Sequence, residues 1–154
     1  WDVFVLCGDP QHADPAKRGN IRGDAFSSPD GLWFDRDGRL WIQTDASGSV
    51  LGRGDHERFG NNQMLVADVV SGEIRRFLTG PKGCELAGLT ATPDGRNLFI
   101  NVQHPGEVSG GRANAAQAMA GSGWPASQFA ELTGGRPRSA TVVIRRQDGG
   151  VVGA

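Results

Sequence analysis

The sequence predicts an all-β chain: a partial β-propeller of about two four-stranded antiparallel blades. Three observations carry that prediction. Glycine supplies 24 of 154 residues, about twice the ordinary share, with no collagen-like period, which suits many tight turns between short elements. Short alternating apolar segments recur between turn signals. The pattern also repeats: Gly38-Arg39-Leu40-Trp41-Ile42 returns as Gly95-Arg96-Asn97-Leu98-Phe99-Ile100 with one residue inserted, and the leucines that open each unit, Leu32 and Leu89, lie 57 positions apart.

Taken in order, residues 1–8 read as the last strand of a preceding blade, alternating weakly over 1–6 and stopping at Cys7-Gly8-Asp9-Pro10. Residues 9–28 are polar and read as a long loop. The first blade covers 29–78. Pro29-Asp30-Gly31 reads as a turn, Leu32-Trp33-Phe34 as a strand, and Asp35-Arg36-Asp37-Gly38 as a hairpin loop. Strands follow at 39–44, 62–68 and 73–78, with a Gly- and Asn-rich loop over 46–62. The second blade covers 85–154. It has strands at 88–92 and 97–102 around the turn Pro93-Asp94-Gly95-Arg96, a loop insertion at 104–138, a third strand at 140–145, and a fourth beginning at Val151-Val152 that is cut off. Within the insertion, Ala115–Ala120 admits one or two helical turns, stopped by Gly121 and Gly123. The plainer alternative is a small β-sandwich, which uses similar short strands. The period and the paired Asp-Gly turns favour the propeller.

Net charge is −1 with the signs interspersed, so no basic stripe matches a nucleic-acid backbone. No apolar run approaches the roughly 18 residues of a membrane span. Cys7 and Cys84 allow one disulfide at most and read as free small hydrophobes or near-surface thiols. No Walker signature and no nucleophile elbow is present.

Candidate chemistry falls on few residues. Glu85 sits just before an inner strand. Inner strands line a propeller's channel, so a carboxylate there can point inward and serve a hard cation; a solvated loop glutamate is the plainer role. Asp30 has a similar place in the first blade, where its competing role is to hold a turn. His104 can contact phosphate or donate a proton, against a loop-capping role before Pro105-Gly106. Alternation puts Asn101 and Gln103 on one face. Cys84, adjacent to Glu85 in an extended segment, faces the other way and reads as packed. Asp94 and Asp45 read as turn residues. Arg39 and Arg96 recur at equivalent repeat positions and read as scaffold. Trp33, Phe34, Leu40, Ile42, Leu89, Leu98, Phe99 and Ile100 are core candidates.

The segments WDVFVLCGDP (1–10), SPDGLWFDRDGRLWIQTD (28–45), GNNQMLVAD (60–68), RRFLTGPKGCELAGLTATPDGRNLFINVQHPGE (75–107) and SATVVIRRQDG (139–149) resemble the PhoX-type bacterial alkaline phosphatases, in the same order. Ser28 before Pro29 is a mild departure from the Asn or Pro often found there. The resemblance implies a six-bladed parent propeller, exported by the twin-arginine route to the periplasm or outside. It implies hydrolysis of phosphate monoesters at an iron–calcium centre. Glu85, in the matching Gly-Cys-Glu motif, then looks like an iron ligand, and Asp30 is a calcium or iron candidate. The chain would be the C-terminal part, inactive alone, whose partners are the missing N-terminal blades that carry most ligands. Two other readings stand beside this one: a two-blade structural or binding module that self-associates through its exposed blade faces, and a lactonase-like propeller hydrolase.

Overall fold

The structure is a computed structural model, and it describes residues 1–107, 121–126, 128, 131 and 136–154. The helical turns expected over 115–120, and most of the 104–138 insertion, lie outside the described residues. Among the described residues the chain forms two sheets. The first holds five strands: β1 (Arg22–Gly23), β2 (Pro29–Phe34), β3 (Leu40–Thr44), β4 (Gln63–Ala67) and β5 (Glu73–Thr79), in the spatial order β1-β5-β4-β3-β2. The second holds β6 (Glu85–Ala91), β7 (Asn97–Gln103) and β8 (Ala140–Arg145), in that order. The four strands β2 to β5 form an antiparallel meander, as a blade requires. β2 and β3 of the first sheet pack against β6 of the second.

Two cores explain the alternation. β3 is buried at every position, because both of its faces are covered. Trp41 faces the second sheet and joins Met64, Leu86, Leu98, Ile100 and Val102 between the blades. Leu40 and Ile42 face the other way, onto Leu65, Ala67 and Ile74, under Ile21 and Phe26. The loop before the first blade is therefore a lid on that blade's outer core. Its Arg22–Gly23 pairs in parallel with Glu73 and Ile74, which adds a fifth strand where the sequence predicts only loop.

The hairpin ends share a device. In the first blade Asp35 accepts the backbone N–H groups of Asp37 (2.9 Å) and Arg39 (3.0 Å). It also takes the Arg39 guanidinium at 2.7 Å and the Trp41 indole N–H at 2.9 Å. In the second, Thr92 and Asp94 cap the turn through the N–H groups of Asn97 and Arg96, the local role expected for Asp94. Arg39 also bonds Asp37 and the carbonyl of Gly153, which ties the last residues to the first blade as scaffold.

Three expectations need correction. Pro29-Asp30-Gly31 is not a turn but the start of β2. Pro29 pairs with Thr44 and Gly31 with Gln43, so Asp30 is the extra residue of a bulge. The strand expected over 1–8 belongs to a preceding blade and is not among these: residues 1–8 have no ladder partner among the described residues, and Leu6 and Gly8 bond Asn20 and Phe26 of the lid. Val151-Val152 starts no fourth strand. Val152 donates to Gly95 O at 3.0 Å and buries its side chain between the blades. Phe34 is 59% exposed and shares an open face with Leu32, 64% exposed, because the lid stops short of β2.

Candidate functional site

β6 begins at Glu85, and its first three residues pair regularly with β7: Glu85 with Gln103, Leu86 with Val102, Ala87 with Asn101. Beyond Ala87 the strand bulges, with Gly88 and Leu89 set against one residue of β7. Gly88 takes φ +65° there, a conformation that favours glycine. The bulge resets the alternation, so Leu86 and Leu89 both reach the interblade core. Both inner strands thus bulge near their starts, a feature common beside functional sites.

The register places Glu85 and Gln103 side by side on the face away from the core. The Gln103 amide donates to Glu85 Oε1 at 2.9 Å. His104 follows with Nε2 3.3 Å from Glu85 Oε2 and Nδ1 3.0 Å from Glu107 Oε2. The Glu85 side chain is 18% exposed and that of His104 43%. His104 has φ +34°, uncommon for a side-chain-bearing residue, and its N–H is held by Ser139 Oγ at 2.9 Å. The structure therefore joins two of the three sequence-predicted site residues, Glu85 and His104. It adds Glu107, which sequence reasoning missed; the Pro-Gly pair between the two residues was the available signal.

Asp30, the third, stays apart. It is exposed on its bulge and has no side-chain partner among the described residues. Its carboxylate is open to a ligand, but no hydrogen bond or ion pair joins it to the Glu85 cluster.

Beneath the cluster lies Asn62, buried and fully bonded. Its Oδ1 accepts Thr44 Oγ1 (3.0 Å) and Ala46 N (2.7 Å). Its Nδ2 donates to Ala46 O (3.0 Å) and Cys84 O (2.9 Å). One amide thus fastens the end of β3 to the residue before Glu85. Cys84 points into the interblade core, and burial pushes its thiol up to about 12, with the charge of Glu85 adding to the shift. In the folded chain Cys84 is expected to resist alkylation near neutral pH and to react once denaturant opens the core. Peptide mapping after iodoacetamide treatment checks this; native labelling as fast as a free thiol would contradict the packed role.

The donors suit a hard cation in kind but not in number. Among the described residues no group of three or more His, Cys, Asp and Glu side chains is placed to hold a metal. His104 stands between Glu85 and Glu107 and keeps those carboxylates from converging.

Two sheets, antiparallel but for the short β1–β5 pairing and packed along their inner strands, define this chain as part of a β-propeller. It belongs to the PhoX family: the family model for alkaline phosphatase PhoX matches residues 1–106. A solved structure, Pseudomonas fluorescens PhoX in complex with vanadate, a transition state analogue, is similar over 100% of the chain, with 45% identity and a TM-score of 0.79. The chain spans 24% of that protein's chain. No curated protein matches the chain. No helix among the described residues is long and apolar enough to cross a membrane.

Proposed function

We propose that this chain is part of a metal-dependent phosphomonoesterase, and that it contributes two blades and one corner of the active site. The cluster Glu85–Gln103–His104–Glu107 carries the reading, because it assembles at the start of an inner strand from the family's own motifs. Glu85 is the proposed iron ligand and Asp30 a second proposed carboxylate ligand, for iron or calcium. His104 is the proposed contact to the phosphate group of the substrate. When bound, an iron–calcium centre would supply electrostatic stabilisation of the phosphoryl charge. The residues of this chain hold and orient. Gln103 fixes Glu85 through Oε1, and Glu85 keeps lone pairs for a further partner. The remaining ligands, and the cover for Leu32 and Phe34, are assigned to other blades of the parent. Export from the cytoplasm belongs to the same proposal and rests on the family likeness alone.

A chromogenic phosphomonoester tests this. The whole protein is expected to hydrolyse it and to stop when its metals are chelated. The 154-residue chain, supplied with iron and calcium, is expected to show no turnover. Strong turnover by the isolated chain, or none by the whole protein, would overturn the reading. Light scattering on the isolated chain belongs beside the assay, since a stable dimer without metal would favour a self-associating module.

A further inference from the structure

We propose that the groove beside the Glu85 cluster is a subsite for the alcohol portion of the substrate, and that Lys82 makes it favour phosphate esters carrying a further anionic group, a carboxylate or a second phosphate. This inference deepens the phosphomonoesterase reading and rests on it for the reaction; the groove and its charge belong to the chain whatever the reaction.

Strand direction puts the groove at the end of the blades that carries Glu85. β3 ends at Thr44, β5 at Thr79 and β7 at Gln103, whereas β4 begins at Gln63 and β6 at Glu85. The loops 45–62, 80–84 and 104–107 therefore emerge together, and an open groove of about 410 Å³ lies among them. That is room for a small organic group. Gly48, Gly52, Gly60 and Gly83 leave much of its lining without side chains, and Arg53 and Lys82 supply the cations. Glu107 lines it too, so the groove and the cluster share a residue. The lysine is locked to the same unit. Gly106 N donates to Lys82 O at 2.8 Å, and a Cβ on Gly83 would collide with the Glu107 carbonyl. Only three residues of chain lead from Lys82 to Glu85, so their Cα atoms lie within about 11 Å.

Charge decides the class of ligand. Lys82 is exposed, and its ammonium has no hydrogen bond or ion pair among the described residues. Arg53 already has a partner, and the Glu107 carboxylate lies 3.0 Å from His104 Nδ1. The Lys82 ammonium is thus the uncommitted charge of the groove. It is a compact cation on a flexible four-carbon stem, able to follow an anionic oxygen within the groove. A phosphate ester whose phosphorus sits at Glu85 and His104 must place its alcohol portion in a neighbouring space, and this groove adjoins on the same face. A plain alcohol offers the ammonium no charge to pair with; a carboxylate or second phosphate does, through a charge-assisted bond.

Matched substrate pairs test this in the whole protein. 3-Phosphoglycerate and glycerol 3-phosphate differ by a carboxylate; fructose 1,6-bisphosphate and fructose 6-phosphate differ by a phosphate. Within a pair, the ratio of kcat/KM for the ester with the extra anion to that for the plain ester is the readout. Lys82→Gln is expected to lower this ratio about 10- to 100-fold, chiefly through KM, as the loss of one charge-assisted hydrogen bond implies. Lys82→Arg should keep most of it. A fall confined to one pair tells which anion the groove reads. A ratio that Lys82→Gln leaves unchanged in both pairs, as for a lysine that only meets solvent, overturns the proposal. If the wild-type protein hydrolyses none of the four esters, the phosphomonoesterase reading fails, and titration calorimetry with the same compounds still decides the groove. Binding of an ester with the extra anion, weakened about 10-fold or more by Lys82→Gln, upholds it. No binding by the wild type, or binding indifferent to Lys82→Gln, overturns it.

Discussion

Replacing Asp35 with alanine is expected to destabilise the chain by about 3–5 kcal/mol, read as a lower urea midpoint. The carboxylate is 7% exposed and serves the Arg39 guanidinium, the Trp41 indole and two backbone N–H groups at once. Removing it strips the largely buried Arg39 of its closest carboxylate, leaving it only Asp37 and the Gly153 carbonyl among the described residues, and leaves the Trp41 indole N–H without its acceptor. Trp41 sits at the centre of the interblade core, edge-on to Phe77 at 5.0 Å, so the loss reaches both blades. Burial works to raise the Asp35 pKa, but the bonds from Trp41 and Arg39 outweigh it and hold the group below its ordinary value of 3.8. A depressed folded pKa contributes stability that is complete above the unfolded value and lost as pH falls through the folded one. The gap between wild type and variant should therefore be full at neutral pH and shrink only below about 3.8. A gap of less than about 1 kcal/mol at neutral pH, as for an exposed ion pair, would contradict this account.

Replacing Asn62 with alanine is expected to cost about 3 kcal/mol. The side chain satisfies Thr44, Ala46 and Cys84 together in a buried place, and water cannot readily substitute there. Amide exchange separates this from a general loss of packing. Ala46 N loses its acceptor in the variant and should exchange much faster, while amides of the β7–β8 ladder keep their relative protection. Aspartate at the same position should not rescue stability, because it has no N–H to offer the carbonyls of Ala46 and Cys84.

Much of the fold is legible because period-two alternation is a local signal. β8 runs over the predicted residues 140–145, and β3, β4, β5 and β7 fall within one or two residues of expectation. What escaped depends on distant partners. β1 is two residues long, too short for any period, and exists only because Glu73 and Ile74 offer it an edge. Pro29-Asp30-Gly31 carries turn chemistry, and the bulge it makes is a turn-like interruption inside a strand.

The site follows the same rule. Glu85 and His104 stand out singly as residue types in telling places. Their meeting depends on the β6–β7 register, which sets Glu85 against Gln103, and that register is fixed by the pairing and bulge, not by spacing. Glu107 was within reach through the Pro-Gly turn. Asn62 was not, since an amide at the head of a strand has no pattern that marks it as a clasp between β3 and Cys84.

The central claim, that Glu85 is this chain's contribution to the metal centre of a phosphomonoesterase, is tested most directly by Glu85→Gln in the whole protein, with bound iron and calcium and phosphomonoester turnover measured on the same preparation. The account predicts a folded protein with reduced metal content and turnover lowered at least about 10- to 100-fold. Full metal content with undiminished turnover would contradict it.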